Sequence, residues 1–297
     1  MNRNIKDTIV ESITGICVLM IIFIIVSILA ITIIGGWPNL NWTFLSEFPK
    51  EGMTKGGIFP AIVGTAVMTI IMAVAAVPFG VITAIYLAEY ANEKSVVAKT
   101  IRFAVKTLAV VPSIIFGLFG LGFFIGFVGK NMDAIFSGGE LKWGQPNILW
   151  ASLTMALLTL PVVIVSVEEA IRTIPREMRE ASLALGATKW QTIKKVVLPG
   201  SVSGILTGTI LAVSRGAGEV APILFTGAVY FSSNLPHSLS DQFMSLGYHI
   251  YIMSTQSSNV DATQPIQFAT TLVLLLLTFS LNAIAVVLRY RIRKRAK

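Results

Sequence analysis

The sequence predicts an all-α integral membrane protein of six transmembrane helices, with a polar hairpin on the cytoplasmic side and both termini inside. Three observations predict it. Hydrophobic residues make up 54% of the 297 positions and charged ones only 13%, where a soluble domain carries about 25% charged residues. Six segments stay apolar for about 20 residues, the length that crosses a hydrocarbon core of about 30 Å. Lys and Arg cluster in alternate connections, the asymmetry that orients a membrane protein.

The six segments are residues 13–34, 59–88, 107–129, 148–167, 202–229 and 266–288. The first follows Arg3 and Lys6, as a signal peptide would. Its apolar core is too long and no A-x-A cleavage site follows, so it reads as a retained span. With the N-terminus inside, the inner connections hold Arg3 and Lys6; Lys94, Lys99, Arg102 and Lys106; Arg172, Arg176, Arg179, Lys189, Lys194 and Lys195; and Arg289, Arg291, Arg293, Lys294, Arg295 and Lys297. The outer ones hold only Lys50, Lys55, Lys130 and Lys142. The net charge of +8 would suggest nucleic acid in a soluble protein; here it marks the cytoplasmic face, and the expected surroundings are membrane lipid. Cys17 is the single cysteine, which excludes a disulfide within the chain and a cysteine-based metal site.

Residues 1–58 form the first span and its outer loop, and 59–297 the remaining core. Within that core, Pro78 with Gly80 and Pro112 with Gly117 predict bends.

The connection at about 168–199 is unusually long and carries its own helix signals. Thr173 can cap, Pro175 suits a first turn, and Gly186 suits the left-handed residue after a last turn. Met178, Ala181 or Ser182, and Leu185 then share a face. Thr188-x-x-Gln191 reads as a capping box for a second short helix. Trp190, Ile193 and Val197 form its apolar stripe, and Pro199 marks the entry to the fifth span.

The fifth span contains Arg215 and Glu219 within SRGAGEVAP. Charge near a bilayer centre is costly and normally faces a partner or a water-filled path. Spacing of i, i+4 lets these two meet on one face. A purely structural ion pair and an anion path both fit that spacing. Arg215 would give an anion a permanent cation with planar donors, and Glu219 would neutralise it between passages. A helix over 202–229 would be about 42 Å long, so a kink is expected near Gly218–Pro222. Gly204 and Gly208 permit close contact with another helix.

The outer segment 231–264 lacks Lys and Arg. Leu239, Phe243, Leu246, Ile250 and Met253 recur at helical spacing, with Ser238 and Asp241 resembling a capping box at the start. The two readings are a helix on the outer membrane surface and a gate beneath an external partner. His237 and His249 read as ordinary loop residues rather than as a metal site.

The run Glu180-Ala181-Ser182, three residues, Gly186, nine residues, Val196, one residue, Leu198-Pro199 resembles the EAA loop of ATP-binding-cassette importer permeases, the MetI-like family. Ser182 stands where that family usually has Ala, and Val196 where it has Ile. Residues 64–90, 111–121, 160–199 and 205–227, with LNAIAVVLRYR near the end, are more specifically similar to the permeases of phosphate importers. The resemblance implies that Glu180, Ala181, Ser182, Gly186, Leu198 and Pro199 form the coupling element for a separate ATPase. It also implies that Arg215 and Glu219 line the substrate path. Implied partners are a second permease of the PstC type, an ATPase dimer of the PstB type and an external phosphate-binding protein of the PstS type.

No G-x-x-x-x-G-K-[ST] loop occurs, since Gly129-Lys130 runs on to Asn131. No catalytic constellation or metal-ligand cluster appears. The chain is expected to be no enzyme and to bind no cofactor, with ATP and Mg used by the partner ATPase. A permease for another oxyanion, and a stand-alone carrier or channel, remain the alternatives.

Overall fold

Long apolar runs leave backbone amides with no polar partner except each other, so in a membrane they must close into helices. The computed structural model bears this out. It describes residues 3–50, 55–92, 94–136, 138–257 and 260–295. Lys297, one of the residues that orient the chain, lies outside them. Among the described residues six helices are long and apolar enough to span a membrane: Asp7–Asn39, Phe59–Tyr90, Ser113–Phe136, Ile148–Arg172, Lys189–Gly218 and Thr263–Ile284.

The first, α1 (Arg3–Gly36), is apolar around its whole circumference and almost wholly exposed, resting on α13 (Val260–Arg295). Cys17 is exposed on it. A short helix α2 (Trp42–Ser46) and a two-stranded ribbon, β1 (Pro49–Lys50) with β2 (Lys55–Gly56), lead into α3 (Phe59–Ile85). Pro78 does not interrupt α3, which ends in a π turn, Tyr86–Tyr90.

The third span starts later than its hydropathy suggests. Residues 96–110 form a separate amphipathic helix, α4 (Val96–Val110), and Val111 and Pro112 are extended before α5 (Ser113–Phe119) begins. The bend expected at Pro112 is thus a full break, as the lost N–H and the extended preference of the residue before proline require. A π segment, Gly120–Gly129, and α6 (Lys130–Phe136) complete the span.

The centre of the bundle is α7 (Ile148–Arg172), the most buried span. Asn147 caps it, its side chain accepting from the Trp150 amide. α3 and α10 (Leu198–Gly218) pack on α7. A Cβ at Gly204 or Gly208 would lie 2.4 Å from the Ala170 Cβ or 2.3 Å from the Ser166 Cβ, so the two small residues do allow the close crossing. Two buried clusters follow. One joins Met68, Met72, Met155 and Ile223; the other, nearer the hairpin, joins Ala84, Leu87, Val163 and Val167.

Further sequence expectations change. The fifth span does not continue to residue 229. α10 stops at Gly218, Glu219 is extended (φ −77°, ψ 137°), and a separate turn, α11 (Ile223–Thr226), follows. The kink expected at Gly218–Pro222 is a complete interruption. The second arm of the hairpin is no separate helix either. α9 (Lys189–Thr192), a π turn (Ile193–Val197) and α10 run on as one helix through Pro199. Proline removes one donor and crowds the preceding turn; the wider π turn just before it absorbs that mismatch.

The outer helix also starts late. α12 (Leu246–Thr255) begins after Ser245, and Ser238 with Asp241 form a turn rather than a cap. The Asp241 carboxylate accepts from the amides of His237 and Ser238. Carbonyls of Leu239 and Asp241 are committed to the first amides of α7, and Phe243 pairs with Gly227 and Val229. That backbone cannot also close a helix. Leu239 is exposed, whereas Phe243, Leu246 and Met253 are buried. α12 packs on α13 and α3. His249 belongs to it and is 3% exposed, contrary to the loop reading; its Nδ1 makes no hydrogen bond among the described residues.

Candidate functional site

Two regions hold the polar residues that the sequence singled out. The first is the interrupted end of α10. Arg215 lies in its last turn and Glu219 just beyond it, with Nε and Oε1 3.7 Å apart. The Arg215 side chain is 62% exposed and that of Glu219 25%. The guanidinium is therefore not locked into the pair, and it faces out from the subunit beside exposed Leu211. Behind it, Gly216 is buried against Met72 and Thr159, and Ala217 is buried too. The Ser214 hydroxyl bonds the Asn282 side chain of α13. Because the helix stops, the backbone at Gly218–Glu219 leaves the intrahelical ladder. The start of α12 sits on this end: a Cβ at Gly247 would be 2.8 Å from Val220 and 3.7 Å from the Gly218 carbonyl. The Leu246 amide is held by the Thr65 hydroxyl of α3 at 2.9 Å. The outer helix and the charged pair are thus neighbours, a juxtaposition that sequence spacing could not reveal.

The second region is the hairpin corner. Its first helix, α8 (Arg176–Ala184), is N-capped by Pro175 rather than Thr173. The Thr173 hydroxyl instead donates to Ala170, finishing α7. Gly186 has φ +83°, the left-handed residue expected after the last turn. Both halves of the Thr188–Gln191 capping box form. Glu180, Ala181, Gly186 and Pro199 are exposed; Ser182 and Leu198 are half-buried. The Ser182 and Thr192 hydroxyls lie 2.9 Å apart and tie the two arms together. Ile193 and Val197 of the predicted stripe are buried, while Met178, Leu183, Leu185 and Trp190 stand exposed. Leu185 is 90% exposed. An apolar corner this open, rimmed by charge, fits a partner surface.

What holds the corner to the bundle was not foreseen. Arg179 donates through Nε (3.0 Å) and Nη2 (2.9 Å) to one oxygen of Glu89, and also to the carbonyls of Ile171, Ile174 and Pro175. The Lys189 ammonium lies 4.9 Å from the centre of the Tyr90 ring. Both contacts engage the π turn that ends α3. Deeper in, Glu168 accepts from Arg102 at 2.6 Å and Arg172 at 3.0 Å. The available signal was an acid at the end of an apolar run, Glu89 after residues 59–88 and Glu168, followed by Glu169, after 148–167. Among the described residues no group of three His, Cys, Asp or Glu could hold a metal ion.

Residues 76–294 match the family described as binding-protein-dependent transport system inner membrane component. The chain is 32% identical, over 88% of its length and 88% of the relative's, to the "Probable ABC transporter permease protein YqgI" of Bacillus subtilis (strain 168). It is 31% identical to the "Phosphate transport system permease protein PstA 1" of Mycobacterium tuberculosis (strain CDC 1551 / Oshkosh), over 95% of this chain and 89% of the relative. Its fold matches a chain in the crystal structure of a bacterial alginate ABC transporter in complex with alginate pentasaccharide-bound periplasmic protein. The TM-score is 0.68 at 15% identity, covering 94% of this chain and 93% of the other.

Proposed function

From the premise that this chain belongs to the family of binding-protein-dependent transport system inner membrane components, we propose that it is the permease subunit of an ATP-driven importer of inorganic phosphate. The chain is a multi-pass membrane protein and not an enzyme; ATP is hydrolysed by a separate subunit. The observation that carries phosphate as the substrate is the 31% identity, spread over 95% of the chain, to a protein named as a phosphate permease.

The geometry supplies chemistry to match. Arg215 is a permanent cation whose planar donors suit a phosphate oxygen pair. It is exposed at a helix interruption, with only a 3.7 Å contact to Glu219. Such a site can attract an anion and still release it. Glu219 takes over the guanidinium when the path is empty.

Coupling would run through the corner. Glu180, Ala181, Ser182 and Gly186, with Leu198 and Pro199 behind them, would seat in an ATPase dimer of the PstB type, which uses ATP and Mg. The helix from Lys189 to Gly218 would then carry movement, over about 45 Å, from that seat to the break beside Arg215. A PstC-type permease would complete the path, and a PstS-type protein would deliver phosphate outside. The excess of Lys and Arg at the hairpin end supports a cytoplasmic hairpin in a bacterial or archaeal inner membrane.

Uptake of labelled phosphate by the reconstituted complex, with sulfate, molybdate and phosphonate as competitors, tests the reading. Phosphate should be taken up and the others should compete poorly. Preferred uptake of another oxyanion would reassign the substrate. Undiminished uptake by an assembled Arg215→Gln complex would remove Arg215 from the path.

A further inference from the structure

A second set of charges lies away from the break, where α4 crosses the hairpin-side half of α7. A cavity of 230 Å³ opens between them. Its inner wall is apolar, formed by Leu87, Val105 and Ile164, and its rim holds Arg102, Lys106 and Arg172 against Glu168 and Glu169.

Arg102 and Arg172 converge on the same oxygen of Glu168, at 2.6 and 3.0 Å. One carboxylate thus meets two guanidiniums. Lys106 offsets Glu169, so the rim keeps an excess of one positive charge. Arg102 is anchored further by the Leu87 carbonyl at 3.1 Å, while the Arg172 side chain is 48% exposed and meets Glu168 through Nε and Nη2, which leaves Nη1 for a ligand. Fixed positive charge beside hydrocarbon is costly unless an anion meets it. The ligand that satisfies both halves of this cavity joins an anionic head to apolar chains.

We propose that the groove between α4 and α7 binds an anionic phospholipid, with its phosphodiester at Arg172, Lys106 and Arg102 and an acyl chain along the exposed Val165. Basic clusters between membrane helices at the aqueous boundary suit such headgroups. Planar guanidinium donors give the phosphodiester paired hydrogen bonds. α4 has the character of a helix lying at that boundary: Lys99 and Lys106 stand on it with exposed Phe103 and Val110. Free phosphate would use the rim and leave the apolar wall unused. A bound lipid would clamp α4 to α7 beside the corner.

Native mass spectrometry of the purified whole complex, with phosphatidylglycerol or phosphatidylcholine added, tests this. Lys106→Gln with Arg172→Gln leaves the Arg102–Glu168 pair in place. The unsubstituted complex should retain phosphatidylglycerol in preference. The double variant should bind it on the order of tenfold less tightly, with phosphatidylcholine unchanged and subunit composition intact. Arg172→Lys alone should restore retention. Equal phosphatidylglycerol binding by both complexes would overturn the proposal. Displacement of the lipid by millimolar inorganic phosphate would overturn it in favour of a free-anion site. Loss of the ATPase from a double variant that keeps its lipid would assign the groove to that partner instead.

Discussion

Arg179 and Glu89, 90 positions apart in the sequence, are joined by two hydrogen bonds to one carboxylate oxygen. Their side chains are 18% and 9% exposed. The pair fastens the hairpin to the end of α3, and the same guanidinium closes the end of α7 through the Ile171 and Ile174 carbonyls. Anything that moves the corner must move three helices together.

Removing one partner of a largely buried pair strands the other charge and costs about 3 kcal/mol. Glu89→Gln and Arg179→Gln should therefore lower the thermal stability of the complex. Where the complex survives, ATP hydrolysis should persist while uptake falls, because the seat no longer pulls on α3. Parallel ATPase and uptake assays read this; proportional loss of both would argue against a transmitting role.

Glu219 has the opposite expected signature. It holds Arg215 loosely from 3.7 Å and competes with the anion for it. Glu219→Gln should lower the apparent KM for phosphate and also lower the maximal rate, because release becomes slow. Uptake kinetics in proteoliposomes separate the two constants. A raised KM at an unchanged rate would mean that Glu219 helps to bind.

Gly186 tests the corner without touching a partner side chain. Its φ is +83°, and a Cβ there would meet nothing within 4 Å. Within this subunit the cost of a substitution is conformational, about 1 kcal/mol for Ala. Asn tolerates that region better and Val worse. Uptake should rank Gly186→Asn above Gly186→Ala above Gly186→Val; equal uptake in all three would show that the corner adapts freely.

Burial pushes the His249 imidazole from its ordinary 6.5 down to about 4. The folded value lies below the unfolded one, so the unfolded chain takes up the proton first as pH falls. Stability should be flat above about pH 7 and decline from roughly pH 6.5 towards pH 4, by about 2 kcal/mol at pH 5. Melting temperatures measured from pH 7.5 to 5 should show this loss, and His249→Gln should flatten it. An identical slope in the variant would place the pH dependence elsewhere.

The parts that were legible in the sequence are those that close within a few residues. The capping box at Thr188 and Gln191, the left-handed Gly186 and a bend at Pro112, which the structure makes a full break, depend on hydrogen bonds and sterics no more than one turn away. Arg215 and Glu219 were legible because a charge inside an apolar run is costly wherever the run packs. Where local signals competed, packing decided. Pro199 read as a boundary, yet the helix crosses it because Ile193 and Val197 continue the buried face below it. Residues 239–245 read as helix, yet their backbone is taken by the start of α7 and by Gly227 and Val229.

By itself, then, the sequence determined that the chain has six runs long and apolar enough to cross a membrane, that its basic residues gather at the hairpin end, and that a capped corner and two opposite charges, Arg215 and Glu219, interrupt the apolar pattern. Bilayer thickness and local backbone geometry suffice for all of these. Only the tertiary structure decided that Glu89 holds Arg179, that Arg102 and Arg172 share Glu168, and that α12 rests on the broken end of α10 beside Glu219. Apart from Glu168–Arg172, which follows i, i+4 spacing, those contacts join residues from about 30 to 90 positions apart. No spacing rule reaches them, because which charges meet is set by how the helices pack.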